Sequence, residues 1–249
     1  MTYCLAIRLH EGLIFLGDSR TNAGVDNVST YRKVHLFQPA PDRFFVLESA
    51  GNLATTQEVL DRVHQDLTDP GAPESLATVR HLFEAALYIG RISRTVAASH
   101  REALAQVGAD GTATFLLGGE ILGGPPDILL VYPEGNYIRA SDDRPFLQIG
   151  ESKYGKFTLE LGVAAHVNLA TAAKLALTSM VSTAGSNLSV GPPYDVGIYV
   201  NDSHDLSEFR VTADSPALVR LERFWSEQLR DAIDQLPAIS PADALRVGD

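Results

Sequence analysis

The hydrophobic and polar positions at the start of the chain indicate a β-hairpin. Two apolar segments, residues 3–9 and 13–18, are separated by His10-Glu11-Gly12. Short apolar segments on either side of a glycine-containing turn are typical of two antiparallel strands. We therefore expect the chain to begin within a sheet.

The rest of the chain alternates between groups of strands and groups of helices. Apolar segments bounded by turn residues predict strands at 33–38, 43–49, 112–118, 127–132, 136–140, 146–149, 194–200 and 207–212. Apolar residues at helical spacing predict helices at 52–67, 74–107, 152–161, 168–183 and 215–235. We interpret the strands between 112 and 149 as one meander, and Gly90 as a position where the helix 74–107 could break.

The order of these elements predicts the fold class. Strands are followed by two helices, by more strands, by two further helices and by strands again, whereas a parallel doubly wound sheet would alternate strand and helix. We predict an α+β fold, a four-layer αββα sandwich of two antiparallel sheets flanked by helices. Because no repeat, low-complexity segment or linker interrupts the pattern, we expect a single domain over 1–249, with a C-terminal helix and tail from about 215.

The charge of the chain argues against two classes of partner. Twenty Lys and Arg residues oppose 31 Asp and Glu residues, which gives a formal net charge of -11 at pH 7. A surface with this acidic excess repels phosphate backbones and anionic lipid headgroups. We therefore expect neither a nucleic acid nor a membrane as a partner.

The single cysteine and the N-terminal residues are typical of a cytoplasmic protein. Cys4 is the single cysteine, so an intramolecular disulfide is excluded, and no Cys/His cluster has the spacing of a zinc site. The N-terminal residues alternate in polarity, unlike a secretion signal, and no segment approaches the roughly 18 apolar residues of a membrane span. We expect a cytoplasmic protein without a metal or other cofactor.

The first residues also contain a candidate nucleophile. Methionine is generally removed when a small residue follows, and loss of Met1 would expose Thr2 with a hydroxyl and a free α-amine on one residue. The unperturbed pKa of an α-amine is about 7.7 to 8.0, so at cellular pH it can accept the hydroxyl proton. This is the N-terminal form of an activated nucleophile.

Two charged residues are candidates to assist it. Asp18 ends the second predicted strand, beside the start of the first strand if the hairpin forms, and Lys33 opens the next one. An ammonium near the hydroxyl of Thr2 lowers the cost of deprotonation, and a carboxylate keeps that ammonium charged and oriented. Taken alone, Asp18 is more typical of a turn residue at a strand end, and Lys33 of a solvated charge at a strand edge.

The sequence around these three residues resembles a known family. The order and approximate spacing of Thr2, Asp18 and Lys33 are similar to those of the proteasome β-type active site. Several blocks are similar to Anbu, the bacterial proteasome-related family: Met1-Thr2-Tyr3-Cys4, Asp18-Ser19-Arg20-Thr21-Asn22-Ala23-Gly24-Val25-Asp26, Ser49-Ala50-Gly51-Asn52-Leu53-Ala54-Thr55-Thr56 and Ser186-Asn187-Leu188-Ser189-Val190-Gly191-Pro192-Pro193. The resemblance extends over nearly the whole chain.

The resemblance implies a role for each matching residue. Thr2 would be both nucleophile and N-terminal base, Lys33 the activating ammonium, and Asp18 the residue that orients it. The backbone N–H of Gly51 would donate to the oxyanion, although this glycine is equally typical of a strand-to-helix turn. The resemblance also implies a peptide or amide substrate and a homo-oligomer in a ring or helical assembly, and it leaves open whether an ATPase partner exists. Because no propeptide precedes Thr2, we expect methionine removal alone to activate the chain.

The chain departs from proteasome β subunits where the α-amine is supported. The serine and aspartate residues of that supporting set are not cleanly present, because Glu151-Ser152 follows Gly150 and Ser189-Val190-Gly191-Pro192 replaces the Asp-x-x-Ser-Gly segment. Glu151, Ser152 and Ser189 are candidate substitutes, with helix capping or turn formation as the alternative role of each.

Other interpretations remain. Gly17-Asp18-Ser19 could be the nucleophile block of a GDSL-type serine hydrolase with His204 as base, but that family has a parallel sheet. The glycine pairs at 118–119 and 123–124 lack the Lys-Ser/Thr of a phosphate loop. We interpret the remaining scattered histidines as surface or packing residues, namely His35, His64, His81, His100 and His166. The rival from another class is a proteasome-like subunit that assembles but barely hydrolyses, and acts as a scaffold or binding shell.

Overall fold

A computed structural model describes residues 2–22, 28–203 and 205–237 of the chain. The chain divides into two compact units, residues 1–213 and 214–249. The sequence-based comments on Met1, on the segment 23–26, on His204 and on the end of the tail concern residues outside the described ranges. Within the described ranges, none of the helices is both long and apolar enough to span a bilayer.

The described secondary structure consists of the following strands and helices. The strands are β1 (Tyr3–Arg8), β2 (Gly12–Asp18), β3 (Arg20–Asn22), β4 (Val28–Thr30), β5 (Val34–Ala40), β6 (Arg43–Gly51), β7 (Ala113–Ile121), β8 (Asp127–Val131), β9 (Tyr137–Arg139), β10 (Phe146–Gly150), β11 (Tyr194–Val200) and β12 (Leu206–Val211). The helices are α1 (Leu53–Thr68), α2 (Leu82–Gln106), α3 (Ser152–Gly162), α4 (Leu169–Ser186) and, in the second unit, α5 (Pro216–Asp234).

The first unit is a sandwich of two antiparallel sheets. The first sheet has the order β10-β1-β2-β11-β12 and the second has the order β5-β6-β7-β8-β9. Apolar side chains of both sheets, such as Phe15 of β2 and Leu116 of β7, form the core between them. Helices α1 and α2 cover the second sheet, and α3 and α4 cover the first. The predicted α+β fold with an αββα arrangement is confirmed.

The first hairpin lies at the centre of the first sheet. Every residue of β2 is buried, because the second sheet covers one face of the strand and α4 packs against the other. The register of the hairpin pairs Cys4 with Gly17. This register brings the residues just before β1 close to the end of β2, which is where the candidate catalytic residues lie.

The second helix begins later than its apolar pattern predicts. Residues 74–81 are not helical, and α2 begins at Leu82. The carboxylate of Glu84 accepts hydrogen bonds from the backbone N–H groups of Arg80, at 2.7 Å, and His81, at 3.3 Å. These bonds satisfy donors that would otherwise be unpaired at a helix start, and they fix that start at this position.

Gly90 does not break the helix. It lies within α2, where a Cβ atom would stand 2.3 Å from the backbone oxygen of Gly135. The absence of a side chain therefore allows the turn before β9 to approach the helix closely.

The predicted meander is wrong in its last strand. Strands β7, β8 and β9 pair in sequence, but β10 pairs with β1 in the other sheet, with Tyr3 opposite Gly150 and Ile7 opposite Phe146. The apolar pattern of a strand indicates that its faces are buried, but it does not indicate which other strand it pairs with. A second difference is the short pairing of β3 with β4, at positions where the apolar pattern predicts no strand.

Candidate active site

The first hairpin and the strand β10 position Thr2. Thr2 immediately precedes β1, and its backbone oxygen accepts a hydrogen bond of 2.7 Å from the N–H of Glu151. Gly150 has a φ of +79°, and a Cβ atom there would lie 1.9 Å from the same oxygen of Thr2. Only glycine therefore permits this approach, which fixes the backbone of Thr2 against the start of α3.

Asp18 connects the end of β2 with the residue after Thr2. One of its carboxylate oxygens, Oδ1, accepts a hydrogen bond of 3.0 Å from the backbone N–H of Tyr3. The other, Oδ2, accepts one of 3.3 Å from the backbone N–H of Gly191. Asp18 is completely buried, so these contacts hold it without help from solvent.

Lys33 and Asp18 form a buried ion pair. Lys33 Nζ lies 2.7 Å from Asp18 Oδ1, and the exposed fractions of the two side chains are 6% and 0%. The ammonium also donates a hydrogen bond of 2.6 Å to the backbone oxygen of Arg20. Burial raises the pKa of the Asp18 carboxyl above its ordinary value, while Lys33 and the two backbone N–H donors oppose that rise. These contacts favour the carboxylate and fix the position of the ammonium.

Thr2 and Lys33 both line one cavity of about 770 Å³. Gly51 lies on its wall with a φ of +116°, and a Cβ atom there would stand 2.5 Å from the backbone oxygen of Thr112. The cavity is also bordered by residues of β3, β5, β6, β10 and α1 and of the loop before β5: Thr21, Tyr31, Arg32, His35, Ser49, Ala50, Leu53, Thr56, Gln57, Leu60 and Gly150. A substrate in this cavity would be in contact with the threonine and the lysine together.

Several solved structures are similar to the whole chain. Anbu (ancestral beta-subunit) from Yersinia bercovieri is 42% identical with a TM-score of 0.89, and the alignment covers 96% of this chain and 99% of that one. The helical assembly of the Anbu complex from Pseudomonas aeruginosa is 41% identical with a TM-score of 0.91, covering 97% and 99%. The chain belongs to the Anbu family. The predicted family and its proteasome-like N-terminal-nucleophile hydrolase fold are thereby confirmed.

A third Anbu structure supports the same assignment, while two other comparisons gave no match. The Anbu (Gly-1) mutant from Hyphomicrobium sp. strain MC1 is 41% identical with a TM-score of 0.88, covering 96% of this chain and 100% of that one. No protein-family model matches the chain, and no curated protein sequence matches it. The family assignment therefore rests on the solved Anbu structures.

The candidate supports of the α-amine have different positions in this Anbu chain. Glu151 is nearest by contact, because its backbone N–H bonds to Thr2 and its Oε2 accepts a hydrogen bond of 2.8 Å from Asn187 Nδ2. Ser152 is the first residue of α3 and is half-buried. The backbone N–H of Ser189 donates to the side chain of Asn187 at 2.9 Å. Asn187 thus connects the region of Ser189 with that of Glu151.

The contacts of Ser19 do not favour the serine-hydrolase interpretation. Its side chain is completely buried, and its hydroxyl donates a hydrogen bond of 2.6 Å to the backbone oxygen of Pro193. A nucleophilic hydroxyl instead needs to donate to a base. The proposed base, His204, lies outside the described residues.

His35 is a residue of the cavity that the sequence analysis assigned to surface or packing. It lies on β5 and lines the cavity with Thr2. Burial, and next the nearby charge of Arg32, lower the pKa of its imidazole to about 4. One feature of the sequence could have indicated this position. His35 is next to the buried Val34 in the same strand, so its side chain points to the opposite face of the sheet. No group of side chains among the described residues has the makeup of a metal site.

Proposed function

We propose that this Anbu protein is a threonine-type N-terminal-nucleophile hydrolase that cleaves peptide or amide bonds. The observation that carries the proposal is the buried ion pair of Lys33 and Asp18, which reaches the cavity beside Thr2. Burying two charges costs several kcal/mol per ion before their attraction repays it, so an ion pair at the wall of a cavity is a costly arrangement. In the proposed mechanism this pair supplies a cation of fixed position to the threonine hydroxyl.

The chemistry begins once Met1 has been removed. The free α-amine of Thr2 accepts the proton of the hydroxyl as Oγ attacks the carbonyl carbon of the substrate. The ammonium of Lys33 stabilises the negative charge that develops on Oγ, and Asp18 keeps the ammonium in place. The backbone N–H of Gly51 donates to the carbonyl oxygen as it becomes an oxyanion, a contribution of about 2.7 to 4 kcal/mol in other hydrolases.

The remaining steps complete the proton balance. The protonated α-amine of Thr2 gives its proton to the departing amine of the substrate, and an ester between Thr2 and the acyl group remains. Water then attacks this ester with the α-amine again as base, which releases the acid and restores the free hydroxyl. Glu151, Ser152 and Ser189 are our candidates to hold the α-amine in position during both steps, and Glu151 has the most direct contact with Thr2.

The hydrolysis of fluorogenic peptide amides by the purified, assembled protein tests this proposal. Wild type should release the fluorophore, and Thr2→Ala prepared in parallel should not, because the nucleophilic oxygen is missing. Equal rates from the two proteins would show that the activity has another source and would reject Thr2 as nucleophile.

We further propose that the protein forms a homo-oligomer. The 41% identical Anbu complex from Pseudomonas aeruginosa was solved as a helical assembly, and the similarity extends over 97% of this chain. Electron microscopy and mass photometry of the purified protein test the assembly. An assembly that forms normally while wild type and Thr2→Ala are equally inactive would favour the alternative function, a scaffold or binding shell.

A further inference from the structure

Three basic side chains line the cavity in the described part of the chain, and none of them presents an unpaired charge to it. Lys33 is one of them, and its ammonium is paired with Asp18. Arg32 and His35 are the other two titratable cations of the lining. The charge that a substrate meets in the cavity therefore depends on the state of these two side chains.

Arg32 is paired with a residue that is distant in sequence. Its Nη2 lies 2.7 Å from Oε1 of Glu208, and the exposed fractions of the two side chains are 45% and 31%. Arg32 directly precedes Lys33 and β5 of the second sheet, whereas Glu208 lies on β12 at the edge of the first sheet. The ion pair therefore joins the two sheets, and it sets an acidic group against the one arginine of the described lining.

His35 adds no charge at neutral pH. Its pKa is lowered to about 4 by burial first and by the charge of Arg32 next, while the charge of Asp195 has the opposite effect. Asp195 is itself paired with Arg210, whose Nε and Nη2 lie 2.7 and 3.0 Å from its two carboxylate oxygens. The imidazole is therefore an uncharged part of the wall.

Much of the remaining wall is apolar. Ala50 of β6 and Leu53 and Leu60 of α1 face the cavity together with the methyl-bearing side chain of Thr56. A wall of this kind gains free energy from the burial of apolar surface and cannot solvate an ionised group.

We propose that the cavity selects substrates with a bulky, uncharged side chain next to the attacked carbonyl, and that Glu208 sets this preference by neutralising Arg32. The inference rests on the proposed function and names the substrate class of the same site. Glu208 is a positioning residue here, because it acts on the substrate through Arg32.

Removal of the carboxylate of Glu208 should shift the preference between acidic and neutral substrate side chains in a direction that can be measured. In Glu208→Gln the guanidinium of Arg32 loses its counter-charge and presents a net positive charge to the cavity. An acidic substrate side chain should then be accepted more readily relative to a neutral side chain of the same shape. Because the pair is partly exposed, we expect a change of about two- to fivefold, the scale of exposed charge pairs.

Peptide epoxyketones that differ in one residue, Leu, Gln or Glu next to the electrophile, are suitable probes. The Gln and Glu probes have nearly the same shape, so the ratio of their labelling rates reports charge alone. Wild type should prefer the Leu and Gln probes to the Glu probe. Glu208→Gln should raise the Glu-to-Gln ratio at low ionic strength, and about 1 M salt should abolish this gain by screening.

Two further variants complete the design. Glu74→Gln removes the acidic partner of Arg91, another partly exposed ion pair whose residues do not line the cavity, and it should leave the ratio unchanged. Arg32→Gln leaves Glu208 without its partner and should lower the ratio, which is the opposite sign.

The outcomes separate the two proposals. A ratio that is the same in wild type and in Glu208→Gln, or a wild type that prefers the Glu probe, overturns the inference, while labelling of Thr2 by the Leu probe leaves the proposed hydrolase standing. Failure of all three probes to label Thr2 overturns the proposed function, and the inference with it.

Discussion

The ammonium of Lys33 lies 2.7 Å from Oδ1 of Asp18, and the same oxygen accepts a hydrogen bond from the backbone N–H of Tyr3. One carboxylate oxygen therefore connects the lysine with the residue that follows Thr2. Because the pair is buried, removal of either partner would leave an uncompensated charge, at a cost of about 3 to 5 kcal/mol. This relationship determines how each variant of the site has to be designed.

Replacement of Thr2 tests the nucleophile with little effect on the fold. Thr2→Ala should abolish labelling and hydrolysis, because it removes the attacking oxygen, while the free energy of unfolding should change by less than about 1 kcal/mol at this partly exposed position. Thr2→Ser should retain part of the activity, since it keeps both the oxygen and the amine. The measurement is the rate of electrophile labelling, with circular dichroism and assembly size as controls. Labelling of Thr2→Ala at the wild-type rate would contradict the assignment.

Blocking the α-amine tests the N-terminal base. A chain with a short extension before Thr2, or one that retains Met1, carries an acylated nitrogen that cannot accept a proton, so it should be inactive. Removal of the extension by a specific protease that leaves Thr2 as the first residue should restore activity. Full turnover by a chain whose intact mass includes Met1 would exclude the mechanism and reopen the case for a hydrolase that uses Ser19.

Variants of Lys33 distinguish a catalytic ammonium from a structural one. Lys33→Ala should slow the chemical step by about 10²-fold or more, the scale of positioned proton-transfer groups. Lys33→Arg keeps the charge opposite Asp18, yet it should restore little activity, because a planar, delocalised guanidinium does not replace a compact ammonium.

Single-turnover labelling rates on protein of verified fold and assembly decide the question. Lys33→Arg is the informative control, since it avoids leaving the carboxylate of Asp18 unpaired. Rates of Lys33→Ala within about threefold of wild type would make Lys33 a structural residue, and Arg32 or the α-amine alone would then have its role.

Glu48 should make the stability of the fold depend on pH. It is completely buried and lies on the same face of β6 as Val46 and Ala50, which face the core between the sheets. Burial raises the pKa of its carboxyl well above the ordinary value of 4.5, and the backbone of Leu16 opposes only part of that rise. The folded chain therefore keeps a proton that the unfolded chain releases.

The sign of this effect follows from proton binding. The contribution of Glu48 to stability is fully present below pH 4.5 and is lost as pH rises towards the folded pKa, at about 1.4 kcal/mol per pH unit. Glu48→Met and Glu48→Gln both remove the titration. The free energy of unfolding of each variant, relative to wild type, should therefore increase with pH above that point. A difference that is constant from acid to neutral pH would contradict the buried, protonated state of Glu48.

Local patterns predicted the hairpin of the fold well. The two apolar segments around His10-Glu11-Gly12 predict the hairpin, and the register that the structure shows explains why the start of β1 and Asp18 are neighbours. The pairing of β10 with β1 could not be predicted in this way, because strands of either sheet have the same apolar pattern. The start of α2 does not follow from apolar spacing either. That spacing extends back to residue 74, but the carboxylate of Glu84 caps the backbone at residues 80 and 81 and so makes the helix begin later.

The residues around the candidate site are harder to predict from the sequence than the three residues at its centre. Thr2, Asp18 and Lys33 are close in sequence and resemble family motifs, so they were singled out together. The contact of Arg32 with Glu208 joins residues that are remote in sequence, and no local pattern indicates it. The position of His35 on the cavity wall does not follow from local spacing either, because the cavity is also lined by residues of α1, whose packing direction depends on the tertiary fold.

The central claim is that Thr2 acts as an N-terminal nucleophile, and the site of covalent labelling tests it most directly. Assembled wild-type protein would be incubated with a peptide epoxyketone, and both the intact mass and the modified peptide would be determined by mass spectrometry. The account predicts one adduct per chain, on Thr2, in a chain that begins at Thr2. An adduct on another residue, or an adduct on a chain that still carries Met1, would contradict it.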